Sequence, residues 1–133
     1  MQIPPQVAQL MLETDREQTR ALFRSFVEHT TSQGWGFSYT DKIGAHCKAL
    51  YGALSDFEIR ADLIYCVVEV GVEHNRFHVM DIAESLLEYR KPVGESVAVA
   101  ERLKGASPAI REWVRERISP AKLHPAIVDA VKQ

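Results

Sequence analysis

Cysteine is scarce in this chain. Cys47 and Cys66 stand far apart, each in apolar sequence. A small secreted scaffold stapled by disulfides carries more, so two reduced core thiols in a cytoplasmic protein are the expectation, with a single disulfide or a metal-binding pair as the alternative. Long hydrophobic runs are missing too. The longest, Leu63 to Val68, is six residues, against roughly 20 for a bilayer-spanning helix. The opening Met-Gln-Ile-Pro-Pro has no basic segment followed by an apolar stretch, so no signal peptide and no membrane association are expected. A glycine-rich phosphate loop is also absent: Gly34-Trp35-Gly36 leads into aromatic residues and matches neither a P-loop nor a dinucleotide fingerprint. No cofactor is expected.

What is present fits one globular domain over residues 1–133, with 46% hydrophobic and 26% charged residues. Helix signals recur along it. Pro4 and Pro5 suit the first turn of a short opening helix. Thr14-Asp-Arg-Glu17 reads as a capping box, in which the threonine hydroxyl takes an orphan amide and the glutamate reaches back. Ala21, Leu22, Phe23, Phe26 and Val27 follow at helical spacing, and Gly34 ends that helix. Ile43, His46, Cys47, Leu50 and Leu54 form the next stripe, with Thr40 or Asp41 as its cap. Ser55-Asp-Phe-Glu58 is a second capping box, opening a segment through Val72 that is apolar nearly all round and so is expected to be central. Its β-branched residues Val67, Val68, Val70 and Val72 also permit a strand over 64–72, which would make the fold α+β.

Val79, Ile82, Ala83 and Leu86 give a further amphipathic helix, ended by Pro92 and Gly94. Ser96 is the expected start of a helix that carries Val97, Ala100 and Leu103 and stops at Gly105. Ser107-Pro108 and Ser119-Pro120 each place an N-cap serine before a proline at the first helical position, and His124-Pro125 opens a last short helix. The expected architecture is all-α, a compact array of about seven or eight helices joined by short turns. Pro108-Ala-Ile-x-x-x-Val114 recurs as Pro125-Ala-Ile-x-x-x-Val131, but two copies do not make a solenoid.

The charge is segregated along the chain. Residues 54–88 sum to −6, while residues 89–133 sum to +4. If this survives folding it makes one acidic and one basic face; if folding interleaves the segments, the fields cancel. The acidic stretch includes Asp56, Glu58, Asp62, Glu69, Glu73, Glu84 and Glu88. Ahead of it, Trp35, Phe37 and Tyr39 alternate between glycines. Trp and Tyr bury much surface with few rotors, which suits the centre of an interface; closing the core between two helices is the plainer use of the same residues.

Three chemistries compete. An acidic surface with aromatic anchors suits non-catalytic association with a basic protein partner, in the manner of an inhibitor or immunity protein, and this is the leading expectation. Its site would comprise the aromatic loop and the seven acidic residues above. Arg102, Lys104, Arg111, Arg115, Arg117 and Lys122 would instead serve a nucleic-acid-binding regulator, although Glu95, Glu101, Glu112 and Glu116 dilute that charge. A metal-dependent hydrolase would draw on Glu69 through Asp81. There His74, His78 and Asp81 share a face of a continuous helix, but Gly71 and Asn75 suggest a turn that spoils the spacing. Adjacent His46 and Cys47 diverge on a helix and make a poor dyad.

Overall fold

In the computed structural model the described residues are 21, 23, 24, 51, 52, 54, 56–75 and 77–132. All regular structure among them is helical. We number five α-helices: α1 Phe57–Glu73, α2 Phe77–Glu88, α3 Val93–Lys104, α4 Pro108–Arg117 and α5 Pro125–Val131, with a 3₁₀ turn at Pro120–Lys122 between the last two. Of the helices expected before Asp56, the structure describes residues 21, 23, 24, 51 and 52, which are helical; the rest of those stretches, apart from Leu54, lies outside the described residues.

The alternative strand over 64–72 is overturned, because these residues belong to α1. Local chemistry starts the helix: Asp56 is the N-cap, and its Oδ1 accepts from the amides of Glu58 (2.8 Å) and Ile59 (3.3 Å). The cap is thus Asp56, one residue after the serine that the capping-box pattern favours. Packing then decides the rest. α1 lies against α2, α3 and α4 and buries residues on every side, from Ile59 and Leu63 through Val67, Val68 and Val70. A helix enclosed in this way tolerates β-branched residues because tertiary burial outweighs their small propensity cost. Phe23 and Leu54 join the same core.

Asn75, not Gly71, turns the chain. Asn75 has φ of 50°, a left-handed conformation that asparagine tolerates better than most residues. The amides of His74 and Asn75 close the end of α1 onto the carbonyls of Val70 (3.1 Å) and Val72 (3.3 Å). Gly71 stays helical and is where α2 crosses: a Cβ there would lie 3.2 Å from the backbone nitrogen of Met80.

α3 begins earlier than its serine suggests. Pro92 is the N-cap, Val93 the first helical residue, and Ser96 sits buried one turn inside. Proline at the boundary and a glycine just after it resemble a linker in sequence, yet the fixed φ of Pro92 leads directly into the helix. Val97 is 43% exposed on this helix, while Ala98, Val99, Ala100 and Leu103 are buried. The later caps follow local chemistry. Ser107 Oγ accepts from Ile110 N at 3.4 Å, and His124 Nδ1 accepts from Ala126 N at 3.1 Å. Ser119-Pro120 yields only the 3₁₀ turn, with no side-chain cap bond. No helix among the described residues is long and apolar enough to cross a membrane.

Candidate functional site

The acidic stretch meets arginines drawn from elsewhere in the chain. Arg24 pairs with Glu69 and, at 2.7 Å, with Glu73. Arg117 pairs with Asp81 and Glu84. Arg102 places Nε 2.8 Å from Asp62 and Nη2 2.9 Å from the Glu58 carboxylate. Folding therefore interleaves much of the charge that is segregated in sequence. Asp62 is only 4% exposed and joins α1 to α3 from within, whereas Asp56 and Glu73 are exposed and Glu88 is half-buried.

Several basic residues of the C-terminal third are engaged in holding helix ends. Arg111 Nη1 donates to the Lys104 carbonyl at 3.1 Å, at the end of α3, and Arg115 donates to the Val131 carbonyl at the end of α5. Cations at helix C-termini satisfy orphan carbonyls and the helix dipole together. His74 caps α1, His78 lies on α2 beyond the Asn75 turn, and Asp81 is paired with Arg117, so the three do not share a continuous helix. Among the described residues no group of three or more His, Cys, Asp or Glu side chains could hold a metal ion. Trp35, Phe37, Tyr39, His46 and Cys47 lie outside the described residues.

Two features escape the sequence. The first is a buried ionic cluster. Glu95, in the first turn of α3, is fully buried; Tyr51 Oη donates to its Oε2 and Arg60 Nη1 to its Oε1, the latter at 3.3 Å. Arg60 also donates Nε to the Leu54 carbonyl at 2.7 Å and stacks on the Tyr51 ring, 4.7 Å from its centroid. Burial, and then the hydrogen bond to Glu95, pushes the Tyr51 hydroxyl well above the usual phenol range. Both carboxylate oxygens are engaged, so Glu95 anchors α3 instead of offering a base to solvent. A cleft of about 580 Å³ opens beside the cluster, walled by Tyr51, Arg60, Tyr89 and Arg90 among others.

The second feature is an exposed apolar patch. Phe57, Val93 and Val97 are 40%, 66% and 43% exposed. Val93 and Val97 are four apart on α3 and share a face. The Phe57 ring lies over Gly94, so near that a Cβ there would be 3.0 Å from Phe57 Cδ2. Carboxylates edge the patch. Asp56 and Glu58 flank Phe57, and Glu101 follows Val97 by one turn on the same face of α3. Arg102 is shared between Asp62 and Glu58, and Lys104 lies 3.6 Å from Glu101, so Asp56, Glu58, Asp62 and Glu101 meet two cations and this corner keeps a net negative charge.

No protein-family model, curated protein or solved structure matches the chain. The patch was obscured in the sequence because a helix starting at Ser96 leaves Val93 outside it, and Val97 lies at helical spacing with Ala100 and Leu103, which are buried. Glu95 carried no signal, since one glutamate among mixed charges reads as solvated.

Proposed function

We propose that the chain is a non-catalytic module of seven or eight helices that binds a basic protein partner, in the manner of an inhibitor or immunity protein. The observation that carries this reading is the joint exposure of Phe57, Val93 and Val97, edged by Asp56, Glu58 and Glu101. Large apolar side chains clustered on a surface and rimmed by polar groups are the usual makings of an interface centre. The negative rim supplies attraction for a basic surface and a faster encounter. The buried ion pairs, by contrast, are satisfied internally and hold the helices together. The aromatic segment Trp35, Phe37 and Tyr39 belongs to the same proposal as a second set of anchors.

The test is affinity capture from the source cells, followed by binding kinetics with the purified partner. Val93 and Val97 are exposed, so V93D/V97D should keep the wild-type melting temperature to within about 2 °C. It should weaken binding at least tenfold, roughly 1.4 kcal/mol, mainly through faster dissociation. Charge reversal at Glu101 should mainly slow association and reduce its dependence on salt. A folded V93D/V97D protein with wild-type affinity would remove the patch from the interface. The W35A variant, read for stability and kinetics together, decides whether the aromatic segment contributes.

A further inference from the structure

The arginines at 24, 60, 102 and 117 each meet a carboxylate. Other cations do not: Arg111 and Arg115 hold helix ends, and a further group shares a groove. Between the end of α2 and the turn before α5 lies a groove of about 480 Å³ lined by Arg90, Lys91, Lys122 and His124, with Glu88 as its carboxylate. None of Arg90, Lys91 and Lys122 forms an ion pair among the described residues. Lys91 instead donates Nζ to the carbonyls of Leu87 (3.1 Å) and Tyr89 (2.8 Å). The lining carries three cations against one carboxylate, a formal charge of about +2 without its histidine, and the buried Glu95 also acts on Lys91.

We propose that this groove binds a small phosphate monoester carrying an apolar or aromatic body. Its charge matches, since a phosphate monoester holds about −1.5 to −2 at neutral pH. The donors suit a phosphate: a guanidinium fork from Arg90 and ammonium groups from Lys91 and Lys122. His124 adds one more, because its Nδ1 accepts from the Ala126 amide at 3.1 Å and its Nε2 then carries the proton. Apart from Ser96, the remaining lining residues are apolar or aromatic. Leu87, Leu123 and Ile127 are buried beneath it, and Tyr89 is exposed at its side, ready to stack on a flat ligand. The volume lies in the range of ordinary small-molecule sites, about 300–1,000 Å³. Burial also pushes the Lys91 ammonium down to about 8, a cost that a bound dianion relieves. The α3 amino terminus opens on the same groove at Val93, with no side-chain cap on its first amides, adding favourable dipole to a site the side chains already define.

The experiment is a titration of the full ¹⁵N-labelled chain with phenyl phosphate, with benzoate and benzyl alcohol as monoanionic and neutral counterparts. Phenyl phosphate should give saturable shifts at the amides of Leu87, Ser96, Leu123 and Ile127, with affinity at least about tenfold above that of benzoate. Benzyl alcohol should give none. Arg90 and Lys122 have exposed side chains, so R90Q and K122Q should fold as wild type and each weaken binding by about fivefold or more. Absence of saturable shifts at about 10 mM phenyl phosphate, a weak-binding ceiling, overturns the proposal. So do shifts that persist unchanged in R90Q/K122Q. A single-stranded RNA oligomer is the remaining arm: if it binds through Arg90 and Lys122 about a hundredfold tighter than phenyl phosphate, the groove is a nucleic-acid surface and the small-molecule assignment is wrong. These variants leave Phe57 and Val97 intact, so the partner surface is tested separately.

Discussion

Arg102 offers the sharpest test of how the helices are joined. Its side chain is 15% exposed and its Asp62 partner 4%. Besides the Nε bond to Asp62, Nη1 donates to the Ala98 carbonyl at 2.8 Å and Nη2 to the Glu58 carbonyl at 3.0 Å. Burial works against the charge of Arg102, but the hydrogen bonds and attraction of Asp62 and Glu58 more than compensate, and its pKa is raised. Arg102→Ala removes the guanidinium from a buried carboxylate, a class of change that costs about 3–5 kcal/mol. For a chain of this size that is roughly a 10–15 °C fall in melting temperature. Asp62→Asn should cost less, about 1–2 kcal/mol, because the long arginine side chain can turn its head toward water while the amide keeps a hydrogen bond. Replacing both by leucine removes the charge and refills the space, so D62L/R102L should be more stable than Arg102→Ala. Urea denaturation of the four proteins ranks these losses. A loss below about 1 kcal/mol for Arg102→Ala would refute the reasoning, since that is the value of a surface pair.

Gly71→Ala should reverse the usual helix rule: alanine gains about 1 kcal/mol in propensity over glycine, but its Cβ would press on the Met80 backbone, and a net loss of about 1–2 kcal/mol in denaturation experiments is expected. At Asn75 the opposite substitution helps. Gly tolerates the φ of 50° without strain, so Asn75→Gly should be neutral or stabilising, whereas Asn75→Val should lose about 1 kcal/mol or more. Stability should also change with alkaline pH. The Lys91 ammonium is lowered from 10.5 to about 8 in the fold, so the unfolded chain binds more protons across that window and stability rises with pH, by about 1–3 kcal/mol. Tyr65, pushed up to about 12 by burial and then by Glu69 and Glu73, acts the other way, its stabilising share being lost as pH climbs above the normal phenol range of about 10. Wild type should therefore be more stable at pH 9.5 than at pH 7.5, and Lys91→Met should abolish that rise in paired urea titrations.

Much of the helical framework was legible because its signals are local. Ser107-Pro108 and His124-Pro125 place a cap and a proline on consecutive residues, and both mark helix starts in the fold. Asn75 carried its turn in its own backbone preference. The apolar density of Leu63 through Val72 foretold a central element, although the choice of helix over strand rested on what packs around it. Tertiary structure decided everything that depends on which residues meet. No pattern in sequence tells Arg102 that its carboxylate lies 40 residues earlier, or that Glu95 will be enclosed by Tyr51 and Arg60. Charge segregation along the chain is a one-dimensional property, and helix packing brings basic residues of one segment onto acidic residues of another. The same holds at the surface. Val97 matches a core stripe when its helix is counted from Ser96. It stands in the open because α3 packs Ala98, Val99 and Leu103 into the core formed with α1 and α5. A helix's rotation about its axis is set by the neighbours it packs on, and those neighbours are distant in sequence.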